Sequence, residues 1–495
     1  MPEPSSSAFL PVPRHGSRWL LWGVTLLALA VIQATLLLAF TSFAKDKAKE
    51  TCAFASSLDP SAFKKAEKLF QQGFKNDKLT VLKLHKGTLY ANLLSNYTPK
   101  IVTLLGLLCS TLPLLSHHAH REHEYMLINC CSMPFPEHVK DKSRPFPIPT
   151  FADQFFTTNA TTLSKVETDT VVVNKATLIF PSKTRGMWLP VRREDATTRR
   201  RKATREEEES QTHFQVLREQ LLEEANAAPW KERSDLPFWQ GYLPFIQAFT
   251  YPTDHPRVHL VRFSKDHPTC VHARFTPRLD RHDDYESAPP ADLADMVVAN
   301  PPPLRYAEHK YLVNVGNIGY GERFWEMLLS GSTVLWMQEG WNEWWYPYLQ
   351  PYVHYVPVLS NASDLCDKVQ WLKAHPEEAE RIANNGRRLV EQLLTWENVV
   401  SYTAQTVDGY LEGCSELMGT LRRTSKTFQW LEGRKGAVPL CSVDGLSGGE
   451  EAQEGLNMFR KLWEQVGGGE ATLEGALAAV HTALVDTLAE ANKPS

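Results

Sequence analysis

The chain of 495 residues is long enough for two or three domains, and a hydrophobic share of 43% suits a globular fold with a large core. Its 53 basic and 57 acidic residues leave a net charge of -4, which excludes the strongly basic surface of a nucleic-acid-binding protein. Its 32 prolines argue for a loop-rich protein and against a plain helical bundle.

In chain order, residues 1–18 read as a short cytosolic tail. Trp19 to Phe43 carries no charge and one strongly polar residue, Gln33, over 25 positions, enough to cross a bilayer as an uncleaved signal anchor. Residues 44–99 read as a stem. The flanking charges do not fix the orientation, since Arg14 and Arg18 precede the span and Lys45, Lys47 and Lys49 follow it. Three glycosylation sequons, at Asn96, Asn159 and Asn361, favour a lumenal main portion. All eight cysteines follow the anchor and none forms a C-x-x-C pair, which argues against zinc; an even count in an oxidising lumen permits disulfides, without fixing their pairing.

Residues 100–191 are expected to form an N-terminal domain. Ile101 to Leu115 is a second apolar run, short and interrupted by Pro113, and it reads as a buried helix. His117 to Glu124, "HHAHREHE", has the composition of a metal cluster without its spacing, and reads as a surface loop. "EYMLINCC" reads as a strand. Residues 192–228 are dominated by charge and read as a solvated helical insertion.

From residue 229 to 412 the pattern becomes regular. "RVHLVRFS" reads as a strand or the start of a helix. "KYLVNV", "STVLWM" and "VHYVPV" read as strands, with helices at "GERFWEMLLSG", "SDLCDKVQWLKAH" and "PEEAERIANNGRRLVEQLL". Alternating strands and helices predict an α/β domain with a parallel sheet covered on both faces. Between "KYLVNV" and its helix lie Gly316, Gly319 and Gly321, with Arg323 in the helix's first turn. A strand, a glycine turn and a helix start form an arrangement that can hold phosphate, and a guanidinium can hold a diphosphate in forked geometry. A tight turn before a core helix would look the same. The aromatics Trp325, Trp336, Trp341, Trp344, Trp345, Tyr346, Tyr348 and Tyr352 suit either core packing or stacking on a sugar or base. His354 reads as a hydrogen-bonded core residue, and Asp283 and Asp284 as a solvated loop. Residues 413–495 read as a helical tail without chemistry.

The stretch "HKYLVNVGNIGYGERFWEMLLSGSTVLWMQEGWNEWWYPYLQPYVHYVPV", with "SNASDLCDKVQWLKAHPEEAERIANNGRRLV" after it, resembles the C-terminal half of the capsule-associated-protein and protein O-glucosyltransferase family, glycosyltransferase family 90. Upstream, "PWKERSDLPFWQG" and "LVRFSKDHPTCVHARFT" are similar to the same family. The likeness is strong over residues 229–405 and weak over 116–190. It implies a GT-B fold, a pair of Rossmann-like domains, here behind a transmembrane helix and with the donor domain at 229–412. It implies transfer of glucose or xylose from UDP-glucose or UDP-xylose to a protein or glycan hydroxyl, with inversion and without a metal or other cofactor. The chain contains no Asp-x-Asp triplet, which fits.

By this resemblance Arg323 holds the donor diphosphate, with Gly319, Tyr320, Gly321, Gln240 and Gly241 lining the pocket. Two positions depart from the family. Gln240 stands where an arginine is usual, and His255 and Arg257 are candidates for the missing charge. Ser132 stands at the place of the catalytic aspartate; Glu137 and Asp141 follow closely as substitutes, with Glu137 the candidate base and neither fixed by the sequence. These departures also admit a non-catalytic lumenal protein that binds a nucleotide sugar or glycan. The expected location is the Golgi or endoplasmic reticulum, as a type II membrane protein.

Overall fold

The computed structural model describes residues 45–46, 48–49, 79–92, 107–109, 111–118, 124–129, 148–150, 153–154, 177–179, 213–243, 255–277, 289–298, 306–316, 323–337, 341–424 and 437–442. The anchor expected at 19–43 lies outside these residues. Among the described residues no helix is long and apolar enough to cross a membrane.

The N-terminal half contributes strands β1 (Leu79–His85), β2 (Thr88–Asn92), β3 (Glu124–Asn129), β4 (Ile148–Thr150), β5 (Asp153–Gln154) and β6 (Thr177–Ile179). β1 and β2 form a hairpin closed by Lys86 and Gly87, both at positive φ (47° and 75°), the backbone a two-residue hairpin turn requires. Over its described residues, 107–109 and 111–115, the apolar run before His117 is helical and packed inward as expected: Leu107, Leu108, Leu112 and Leu115 are all buried. The start of "HHAHREHE" departs from the expected surface loop: His117 and His118 end a 3-10 helix, Leu112–His118, in which His118 is wholly buried and His117 exposed, and residues 119–123 lie outside the described residues.

Helix α1 (His213–Ala227) corrects a second expectation. The charged stretch 192–228 is no solvated insertion over this part. Leu217 and Leu221 join the core cluster of Phe324 and Leu328, and Val216 and Ala225 are buried too. Their spacing puts them on one helical face, which the surrounding charges mask in the sequence.

The second half contains β7 (Phe238–Gly241), α2 (Pro256–Asp266), β8 (His272–Phe275), β9 (Tyr311–Asn314), α3 (Phe324–Leu329), β10 (Thr333–Met337), β11 (Trp341–Asn342), β12 (Val356–Val358), α4 (Leu365–Ala374), α5 (Pro376–Leu393), α6 (Trp396–Gly413), α7 (Ser415–Thr424) and β13 (Ala437–Ser442). "RVHLVRFS" is thus helical, started by the His255 side chain, which accepts from the Arg257 backbone N–H, and by Pro256. Five strands form a parallel sheet in the order β12-β10-β9-β7-β8. β9 and β10 are buried at every position, which is why they read as unbroken apolar runs. One face packs Leu312, Val334 and Trp336 against α1, α3 and α6; the other packs Trp239, Val313 and Leu335 against α2 and α4. β13 returns to the antiparallel sheet, whose order is β13-β2-β1-β3.

A disulfide between Cys270 and Cys366 ties the turn before β8 to α4. Cys109 and Cys414 are disulfide-bonded as well. α5 lies close to the turn before β12 at Gly386, where an added Cβ would come within 2.7 Å of the His354 carbonyl oxygen and 2.8 Å of Leu328 Cδ2. Gly386→Ala is therefore expected to lower stability by about 1–3 kcal/mol through overpacking, despite the better helix propensity of alanine. Urea denaturation checks this, and an unchanged or raised midpoint would show that the helix can shift aside.

At the N-terminal edge of the parallel sheet, Phe238 lies between two imidazoles: the His309 ring is stacked at 4.3 Å and the His272 ring at 5.7 Å. Burial holds both histidines below their usual pKa; Arg274 adds to the effect at His272, and at His309 the lowering by His272 is opposed by Glu308. Folding thus keeps them neutral while the unfolded chain takes up protons below about pH 6.5. Their contribution is present above that pH and is lost as pH falls toward the depressed folded values. Urea midpoints of the parent should fall between pH 7.5 and 5.5, and His309→Gln should flatten that dependence. An equal slope in the variant would exclude His309 as a source.

Candidate active site

The strand order fixes where a ligand can sit. Counted along the chain, the five parallel strands lie in the doubly wound order 2-1-3-4-5, so the connections part between the first and third strands, β7 and β9. A crevice opens there outside the carboxyl ends of the strands, and nucleotides bind in such crevices. The residues at that end are Gln240, Gly241 and Tyr242 after β7, and Asn314, Val315 and Gly316 after β9.

Arg323 stands at the start of α3, which brings its side chain over the end of β7. Its Nη2 donates to the Gln240 carbonyl at 3.1 Å. Gly241 makes room for this contact: a Cβ there would come within 2.9 Å of Trp239 Cζ2 and 3.1 Å of Arg323 Nη2. Three of the expected donor-site residues, Gln240, Gly241 and Arg323, are thus brought together by the fold. Gly319, Tyr320, Gly321, Glu137 and Ser132 lie outside the described residues.

Gln240 brings no charge, and its side chain is buried. Two residues beyond the Phe238–Leu312 pair, Gln240 and Asn314 lie side by side on neighbouring strands. Gln240 Oε1 and Asn314 Nδ2 are both buried, and neither finds a hydrogen-bond partner among the described residues. A buried acceptor and a buried donor left open at a crevice suit a polar ligand or ordered water.

Arg257 does not replace the missing charge. From the first turn of α2 its Nε donates to Gly316 O at 2.6 Å, Nη1 to Tyr242 O at 2.6 Å and Nη2 to Val315 O at 3.4 Å. The guanidinium is buried and ties the ends of β7 and β9 together, so it positions the crevice. Nothing in "RVHLVRFS" announces this role, because the accepting carbonyls follow two other strands. Arg233, also buried, lies at the opposite edge. It donates to Ser330 O and Gly331 O at 3.1 and 2.8 Å, and burial lowers its pKa to about 10.

The aromatic cluster is largely core. Trp336, Trp345, Tyr346 and Tyr355 surround the buried Phe324 ring with centroid distances of 4.9–6.4 Å. Trp345 Nε1 donates to Glu343 Oε2 at 2.7 Å. His354 Nδ1 accepts from the Gln350 backbone N–H at 3.0 Å, and burial lowers its pKa, which gives it a turn-forming role. Asp283 and Asp284 lie outside the described residues.

Residues 207–418 match the family model "Glycosyl transferase family 90". Protein O-glucosyltransferase 1 of Homo sapiens is 26% identical over 197 residues, covering 40% of this chain and 47% of that protein. Protein O-glucosyltransferase 3 of Homo sapiens is 28% identical over 198 residues, covering 40% and 36%. O-glucosyltransferase rumi of Drosophila pseudoobscura pseudoobscura is 25% identical over 202 residues, covering 40% and 46%. The likeness spans about half or less of the length of these relatives. Within it lie the switch point, Arg323 and both faces of the parallel sheet, and over residues 207–418 the chain is similar to glycosyl transferase family 90.

Proposed function

We propose that this chain is a glycosyltransferase that moves glucose or xylose from a UDP-sugar to a hydroxyl of a protein or glycan. The observation that carries the reading is the Arg323 guanidinium held across the end of β7 at the switch point, packed close against Gly241, where a side chain would displace it. A cation fixed there suits a diphosphate and can offset the charge that grows on UDP as it departs. Gln240 and Asn314 offer further polar contacts in the same crevice. Transfer without a metal fits this arrangement, since the arginine takes the place of a bridging cation. The names of the relatives support a protein acceptor and a glucosyl group. In this reading Glu137 takes the acceptor proton and Gly319, Tyr320 and Gly321 line the donor pocket.

The finer architecture belongs to the same proposal. A second Rossmann-like unit over 100–191 would complete a GT-B pair, and the parallel pairing of β4 with β6 supports it. Residues 19–43 would anchor the protein as a type II membrane protein of the Golgi or endoplasmic reticulum. The disulfides support an oxidising lumen for the remainder.

The test is UDP release by the purified full-length chain offered UDP-glucose and UDP-xylose separately, beside calorimetry with UDP. Turnover with one of the two donors is expected. Tight UDP binding without turnover, across protein and glycan acceptors, would favour the non-catalytic reading that the uncharged Gln240 admits. Absence of UDP binding would remove the donor site from the switch point.

A further inference from the structure

The antiparallel half of the molecule holds a second cluster that the transferase reading does not use. His117 and His118 end the 3-10 helix Leu112–His118, and Asp408 and Glu412 lie one turn apart on α6. One ligand atom from each of the four falls within 4.8 Å of the others. His117 Nε2 and His118 Nε2 lie 2.8 and 2.7 Å from the same oxygen, Asp408 Oδ1. The other oxygen, Oδ2, takes Lys45 Nζ at 2.6 Å. Lys45 also donates to Glu412 Oε1 at 3.0 Å, and Lys49 Nζ lies 2.6 Å from Glu412 Oε2.

We propose that His117, His118, Asp408 and Glu412 form a binding site for a divalent transition ion of the zinc class, fastening the 3-10 helix to α6. Two imidazole nitrogens and two carboxylates are a donor set that zinc accepts. Donors at about 2.0–2.1 Å from a tetrahedral zinc stand about 3.3 Å apart, so the two imidazoles need draw back from Oδ1 by only about half an ångström. His118 is wholly buried and Asp408 nearly so, while Glu412 is half-buried and His117 exposed, which gives the set a built inner side and an opening to solvent.

A plain ion-pair network is the competing account, and it covers only part of the cluster. Lys45 and Lys49 already balance the charges of Asp408 and Glu412. That balance needs neither histidine, yet both aim Nε2 at the oxygen that Lys45 leaves aside. Lys45, on Asp408 Oδ2 and Glu412 Oε1, opposes the ion by its charge and by the carboxylate oxygens it occupies. Gly409 allows this packing, because a Cβ there would collide with the Lys45 carbonyl.

The experiment is calorimetric titration of zinc chloride into the chelator-stripped full-length chain, purified without a histidine tag, with bound metal measured by mass spectrometry. One zinc per chain and a raised melting temperature are expected. His117→Gln, at an exposed side chain, should weaken binding by 10–100-fold without loss of folding, and Asp408→Asn should act in the same direction. Lys45→Met removes the competing cation and should tighten binding. No uptake by either the parent or Lys45→Met at micromolar zinc overturns the proposal. Uptake that His117→Gln leaves unchanged also overturns it, by placing the ion elsewhere.

Discussion

Arg323→Ala is expected to reduce UDP-sugar turnover by about 10²–10³-fold, the usual effect of removing one preorganised group aimed at developing transition-state charge. The expectation follows from position. Arg323 reaches the end of β7, where its Nη2 donates to the Gln240 carbonyl and packs against Gly241. Its side chain is half-buried, so its loss should leave the fold near parental stability. The loss should fall mainly on kcat, because the charge on the leaving diphosphate grows as the bond to the sugar breaks. Arg323→Lys should recover part of the rate, since a point charge remains without the fork. Steady-state UDP release, beside a melting curve for each variant, makes the measurement. Parental turnover in Arg323→Ala would remove this residue from the donor site and leave the switch point without its cation.

Much of the parallel-sheet half is legible in the sequence, for a physical reason. Strands buried on both faces, such as β9 and β10, appear as continuous apolar runs, and glycine turns and helix starts separate them. Helix α5 is equally plain, with Pro376, Glu377 and Glu378 at its start and an apolar stripe through Ala379, Ile382 and Ala383. What local pattern does not carry is who pairs with whom. The switch point exists because β7 and β9 are neighbours although β8 comes between them in the chain. The same holds for Asp408, whose histidine partners lie 290 and 291 residues away in sequence. Composition shows His117 and His118 as a histidine-rich stretch, and only the fold shows what they meet. α1 fails for the opposite reason: its few core-facing leucines are outnumbered by charges on the exposed face. The family likeness supplied Arg323, Gln240 and Gly241 as candidates, and the fold brought those three together.

Arg257→Lys is expected to destabilise the protein by about 2–4 kcal/mol and to weaken UDP binding with it. Arginine near the start of a helix meets the positive end of the helix dipole, so electrostatics of α2 alone do not favour it there. Its compensation is the set of carbonyls it satisfies. Nε reaches Gly316, Nη1 reaches Tyr242 and Nη2 reaches Val315, and Cζ lies 5.5 Å from the Trp239 ring centroid and 5.4 Å from that of Tyr242. A lysine ammonium has no fixed fork and cannot bridge carbonyls that follow two different strands. Each buried carbonyl left without a donor costs about 1–3 kcal/mol. The functional loss follows from geometry. With the bridge gone, the chain after β7 and the chain after β9 are no longer held at a fixed separation, and these are the strand ends that carry Gln240, with Arg323 on its carbonyl, and Asn314. Urea denaturation should therefore show a lower midpoint in Arg257→Lys, and calorimetry at a temperature where the variant is folded should still show weaker UDP binding. Lower stability with parental UDP affinity would mean that the bridge supports the sheet without shaping the site. Parental stability would mean that water satisfies those carbonyls as well as the guanidinium does.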